Sequence, residues 1–299
     1  MRHTAAIPLL AGSLLLAAAA PSAAVPNQIG GLGGVVVGGG VALGAYDYPI
    51  EGGKKLTVER YTLKPGEIIR WGKRPSTVVV IPQQGDLVNY PTCALQYPMA
   101  SGQASWLPRS RHTGNLSGVT ANQTDAPIDV VAVISDVPGL PPRADQMHRE
   151  SEQGPPEPDP QPASGCPAGN AASPVEVVSG IATAGARINT IDHGQVAVYR
   201  YTLAPGASTG WHFLPDPALV LPVKGSLVLR QDCGSGTPAR LGQARLSSAD
   251  GDPQLLVNNG TDTAEFFLVV FNIPNAYPVV IPDAVPGPPP TDCPASIVD

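Results

Sequence analysis

The sequence predicts an all-β protein assembled from two copies of one small unit, joined by a proline-rich connector. Three observations carry this. Pro (35) and Gly (33) together exceed a fifth of the 299 residues, while charged residues make up only 14%; that mix suits many short strands and turns. No apolar pattern of 3.6-residue period is sustained outside the first 24 residues, which argues against long helices. Finally, one stretch of the chain lies over another, without a gap, at a constant offset.

The chain opens as an export signal would. Arg2 and His3 form a short basic region, Ile7 to Ala20 are small or apolar, and Ser22-Ala23-Ala24 offers small residues for cleavage. Residues 1–24 are therefore expected to be a signal peptide and the protein to be secreted, with a retained N-terminal anchor as the alternative. The apolar stretch is short for a membrane span, and no other segment resembles one. Cleavage removes Arg2 from the 18 basic residues and none of the 24 acidic ones, leaving 17 against 24, a formal charge near −7. Such a surface disfavours nucleic acid and anionic membranes as partners.

Residues 25–32 form a glycine-rich lead-in. The first unit is expected over 33–138 and the second over 174–283. At an offset of 140, Arg60, Tyr61, Thr62 and Leu63 meet Arg200, Tyr201, Thr202 and Leu203. Pro65, Gly66, Trp71, Pro75, Pro82, Gly85 and Cys93 meet Pro205, Gly206, Trp211, Pro215, Pro222, Gly225 and Cys233, and Gly102-Gln103-Ala104 meets Gly242-Gln243-Ala244. Beyond four extra residues in the first copy the offset falls to 136, pairing Asn122 with Asn258 and Asp129 with Glu265. Self-similarity of this length marks an internal duplication. Thr77 to Ile81, Val130 to Ile134, Leu219 to Val223 and Glu265 to Phe271 read as strands, and Pro-Gly at 65–66 and 205–206 as turns. Residues 139–173 read as an extended polar linker and 284–299 as a tail.

The repeat resembles the cupin family, in particular small secreted bacterial cupin-like proteins. The first cupin motif, G-(x)5-H-x-H-(x)3-4-E-(x)6-G, keeps its frame in the second copy as Gly206, His212, Leu214, Ala218 and Gly225. The first copy keeps it as Gly66, Gly72, Arg74, Val78 and Gly85. The second motif is met loosely by Gly102, Pro108, His112 and Asn115 in the first copy, and by Gly242 without a histidine in the second. The resemblance implies two tandem double-stranded β-helix (jelly-roll) barrels, a bicupin, covering most of the mature chain.

It also implies a metal site that both copies have largely lost. The H-x-H spacing works because positions i and i+2 of a strand face the same side. Here the pair is Gly72 and Arg74 in one copy, His212 and Leu214 in the other. A guanidinium cannot ligate a cation, and one imidazole holds a divalent metal weakly. The expected reading is a non-catalytic protein without a cofactor, binding a small organic or anionic ligand or a cell-envelope partner. Alternatives are a divalent-transition-metal enzyme with an atypical ligand set, of oxidoreductase or isomerase type, and a purely structural pair of exported domains. The candidate ligand residues are Arg74, with Arg70 and His112 assisting, and His212 in the second copy, whose interior is expected to be more apolar. Tyr61, Tyr201, Trp71 and Trp211 are expected to be core or rim packing, with the tryptophans turned away from the interior. Four cysteines in an exported chain suggest two disulfides. Because the copies are equivalent, Cys93 is expected to pair with Cys166 and Cys233 with Cys293; Cys93–Cys233 with Cys166–Cys293 is the alternative. Asn115, Asn122 and Asn259 begin N-x-S/T triplets.

Overall fold

The computed structural model describes residues 32–43, 47–71, 76–92, 95–107, 118–136, 166–189, 193–213, 218–231, 236–247, 254–273 and 285–286. The proposed signal peptide, most of the linker and most of the tail lie outside this set. Among the described residues every regular element is a strand. The first copy supplies β1 (Leu32–Ala42), β2 (Asp47–Ile50), β3 (Lys55–Leu63), β4 (Ile68–Arg70) and β5 (Thr77–Pro82). It continues with β6 (Leu87–Thr92), β7 (Leu95–Met99), β8 (Gln103–Leu107), β9 (Val119–Ala121) and β10 (Ile128–Ser135). The second supplies β11 (Val175–Ala182), β12 (Ala186–Asn189), β13 (Gln195–Leu203), β14 (His212–Phe213), β15 (Ala218–Lys224) and β16 (Leu227–Arg230). Its remaining strands are β17 (Thr237–Ala239), β18 (Gln243–Leu246), β19 (Leu255–Asn258), β20 (Ala264–Ile273) and β21 (Val285–Pro286).

Ten strands close into one mixed ring in the order β1-β13-β20-β15-β18-β11-β3-β10-β5-β8. The ring contains an exchange. β1 belongs to the first copy by sequence but pairs antiparallel with β13 of the second, Val35 opposite Arg200. β11 belongs to the second copy but pairs with β3 of the first, Val175 opposite Arg60. The two registers are related by the same offset of 140, and so are their bulges, between Val36 and Gly38 and between Glu176 and Val178. The exchanged strands then close the ring through parallel seams, β1 with β8 and β11 with β18. β2 and β12 also pair across the copies, Tyr48 opposite Ile188. The two units, read from sequence as successive domains along the chain, therefore share strands.

Glycine permits the crossing. A Cβ on Gly40 would lie 2.6 Å from the Gln103 carbonyl oxygen, and one on Gly180 would lie 2.7 Å from the Gln243 carbonyl carbon. These contacts are to main chain, which cannot swing aside. A second repeated pair, Gly85 and Gly225, turns with φ of 74° and 79°, a region open to glycine at no steric cost.

Strand alternation sorts the side chains into three cores. Val58, Val79, Ile81, Val131 and Val133 point toward Val198, Leu219, Leu221, Val269 and Phe271, forming the largest buried cluster, between the copies. Tyr48, Trp106 and Phe271 stack at its centre, with ring centroids 4.9 to 6.3 Å apart. The opposite faces enclose one interior per copy. Burying each such aliphatic or aromatic side chain contributes about 1.5–3 kcal/mol. Exposing half a dozen would offset the whole stability of an ordinary domain, about 5–15 kcal/mol. Neither copy is built to stand without the other.

Candidate ligand-binding interior

The interior of the first copy is closed by a large sheet (β3, β5, β8, β10) and a small one (β4-β9-β6-β7). Polar side chains reach into it at several points and meet partners there. The Trp71 indole N–H donates to Thr120 Oγ1 at 2.9 Å, Thr120 donates to Asn89 Oδ1 at 2.5 Å, and Asn89 Nδ2 donates to Met99 Sδ. On the large sheet, Tyr61 donates to the buried carboxylate of Glu59 at 2.5 Å, and Ser105 lies 3.2 Å from the Tyr97 hydroxyl. Trp71 thus points inward, packing edge-on against Tyr61. This corrects the expectation that it turns away: Ile69 and Trp71 share the inward parity of β4, and Ile68 and Arg70 take the other. Arg70 is exposed, and its guanidinium reaches the Gly169 carbonyl at 3.5 Å. It is not placed to assist a ligand in the first interior. Arg74 and His112 lie outside the described residues.

The second interior has the same frame and different lining. Glu59, Asn89, Met99 and Thr120 are replaced at equivalent positions by Tyr199, Leu229, Ala239 and Leu256, all within the apolar cluster. Tyr201 stacks between Tyr199 and Phe266. The hydroxyl that satisfies Trp71 therefore has no counterpart, and Trp211 Nε1 is buried without a hydrogen-bond partner among the described residues.

His212 stands beside it, 6% exposed. Its main chain exchanges two hydrogen bonds with Gln254, at 3.0 and 2.9 Å, placing the two side chains on one face. Gln254 has the parity of Leu256 and so faces the core; its Oε1 is buried and unpartnered among the described residues. His212 Nδ1 is 2.8 Å from the Gly210 carbonyl oxygen. A carbonyl only accepts, so Nδ1 carries the proton and Nε2 keeps its lone pair in the neutral ring. Burial holds the imidazole below its ordinary pKa, against the Gly210 bond, which raises it. Of the sequence-derived candidates, His212 is the one found facing an interior.

Sequence reasoning missed Arg245. It lies opposite Val220 in the β15–β18 ladder, on the inward face, since its neighbours Ala244 and Leu246 belong to the core between the copies. Its Nε is buried without a partner, and no ion pair to it occurs among the described residues. Burial lowers its pKa from the ordinary value, yet a guanidinium stays charged. The available signal was the repeat: Arg245 falls where the first copy has Ser105, one place after the shared Gly-Gln-Ala.

A cupin-type metal does not fit this set. Among the described residues no three His, Cys, Asp or Glu side chains converge, and the position of the motif carboxylate is Ala218, whose N–H takes the Ser247 hydroxyl at 2.9 Å. Elsewhere, Cys166 is disulfide-bonded and packs on the cluster of Ile68, Tyr90, Val119 and Ala121; Cys93, Cys233 and Cys293 lie outside the described residues. Asn122 is buried, donating to the Leu63 and Ala126 carbonyls and accepting from Thr124, which removes it as a glycan acceptor.

No family model matches the chain, and no curated protein matches it. Among solved structures, it is similar to a cupin 2 conserved barrel domain protein from Leptotrichia buccalis, at 10% identity over 76% of this chain and 88% of that one, TM-score 0.28. It is similar to an oxalate decarboxylase at 12% identity over 79% of this chain and 77% of that one, TM-score 0.32. A recombinant oxalate oxidase matches at 24% identity over 26% of this chain, TM-score 0.22, and the chain spans 41% of its length.

Proposed function

We propose that this chain is an exported, non-catalytic protein of the cupin superfamily that binds a small organic molecule inside its second copy. In this reading residues 33–138 and 174–283 are two cupin barrels that exchange their first strands, and residues 139–173 link them. One observation carries the functional part. The Trp71 indole N–H is satisfied inside the first copy, whereas in the second Trp211 Nε1 and Gln254 Oε1 are buried with no bond among the described residues, and Gln254 shares the inward parity of Leu256 in the apolar interior. A buried polar group left unmade costs about 1–3 kcal/mol, so a molecule that satisfies such a group gains affinity from an atom already desolvated and held in place.

The metal-enzyme alternative needs ligands that the second copy does not supply at the motif positions. The anion site once expected at Arg74 and His112 remains a separate proposal resting on sequence alone. The pairing Cys93–Cys166 is supported by the seat of Cys166 beside Tyr90, three residues before Cys93. A thermal-shift screen of small organic molecules against the secreted mature protein tests the function. Hits on the wild type that are lost in Trp211→Phe and Gln254→Leu support it; a screen without hits, or stoichiometric transition metal by elemental analysis after dialysis, overturns it.

A further inference from the structure

Resting on the reading of the second interior as a ligand site, we propose that its occupant is a carboxylate-bearing molecule with an apolar body, its carboxylate held by Arg245. The repeat shows what changed to make such a site. In the first copy Ser105 meets the Tyr97 hydroxyl while Met99 fills the space beside Asn89. In the second copy the three equivalent positions are Arg245, Thr237 and Ala239. One small inward side chain has become a guanidinium, the tyrosine that meets it in the first copy is replaced by Thr237, and Met99 by Ala239.

Arg245 is half-buried and its Nε is buried without a partner, so an anion on the inward side would complete its hydrogen bonding. Among the described residues the other inward positions carry Tyr199, Tyr201, Leu229, Leu256 and Phe266 rather than an acid, and no ion pair to Arg245 occurs among them. Glu265 is taken by Arg200 on the outer face at 2.7 Å. A guanidinium fork binds a carboxylate through two parallel hydrogen bonds. The apolar cluster suits a hydrocarbon or aromatic body. The first copy has Glu59 facing inward where the second has Tyr199, so the same acid should be repelled there.

The test uses the mature full-length protein and matched pairs of probes: benzoate with benzamide, phenylacetate with phenylacetamide, and hexanoate with hexanamide, by isothermal titration and thermal shift. The expected result is that acids bind at least ten-fold more tightly than their amides, that Arg245→Met removes this preference, and that Arg245→Lys keeps part of it. The Lys variant guards against loss of fold in the Met variant. Acids and amides binding alike to the wild type would overturn the carboxylate inference while leaving the ligand site standing. Acid binding unchanged in Arg245→Met but lost in Arg74→Ala would overturn it in favour of the first copy. No binding by any probe or by the wider screen would overturn both readings together.

Discussion

Replacing Thr120 by Val tests whether the first interior is satisfied by its own side chains. Valine matches threonine in shape, so no cavity is opened; only the hydroxyl is lost. That hydroxyl accepts from Trp71 at 2.9 Å and donates to Asn89 at 2.5 Å, and Thr120, Asn89 and Trp71 are at most 2% exposed. The substitution strands an indole N–H and an amide oxygen. Each costs about 1–3 kcal/mol, and the pair is expected to cost about 2–4 kcal/mol after neighbouring side chains adjust. Thr62→Val is the control, because that hydroxyl bonds Asp129 at 2.7 Å on an exposed strand position and is expected to cost under about 1 kcal/mol. Urea unfolding followed by far-UV circular dichroism measures both. Thr120→Val within about 0.5 kcal/mol of the wild type, or equal to Thr62→Val, would refute the reasoning that polar groups of this interior are paired and those of the second are not.

Other outcomes follow from the same geometry. Gly40→Ala and Gly180→Ala should each destabilise by about 1–3 kcal/mol and to a similar extent, because both place a Cβ against main chain at the strand crossing; urea unfolding reads this, and tolerance of either would count against the exchange. His212 has a folded pKa below its unfolded value near 6.5. Its neutral form contributes fully above that pH, and stability falls as pH drops below it; His212→Asn should flatten the slope of stability against pH below about pH 6.5. Reduction of the bridge at Cys166 should cost about 4 kcal/mol in the loop-entropy picture, and non-reducing peptide mapping should return Cys93–Cys166 rather than Cys93–Cys233. Arg200→Ala and Arg60→Ala, which break surface pairs of 2.7 and 2.5 Å with half-exposed guanidiniums, should each cost under about 1 kcal/mol.

The all-β class and the repeat were legible because turn glycines and β-branched runs are local signals; Gly66, Gly85 and Gly102 and their partners at 140 all have positive φ. The strand exchange was not legible. β1 and β11 carry the same sequence pattern whichever copy they complete, and pairing partners are a tertiary choice. The same limit explains Trp71. Counting from an assumed ligand position put it outside, whereas the strand in fact alternates Ile68 out, Ile69 in, Arg70 out, Trp71 in. His212 was legible as a candidate because it is the one imidazole in the repeated frame. Arg245 and Gln254 were missed because neither stands out in the sequence: Arg245 shows only against Ser105 of the other copy, and Gln254 only through its main-chain pairing with His212.

The chain has three tryptophans, so an ¹⁵N correlation spectrum of the mature protein resolves three indole N–H signals, and it tests the central claim most directly when recorded during titration with phenylacetate. The account predicts that the Trp211 signal shifts as the acid binds, while the Trp71 signal, bonded to Thr120, stays in place and exchanges slowly with solvent deuterium. A Trp211 signal that does not move at saturation, or a Trp71 signal that moves instead, would contradict it.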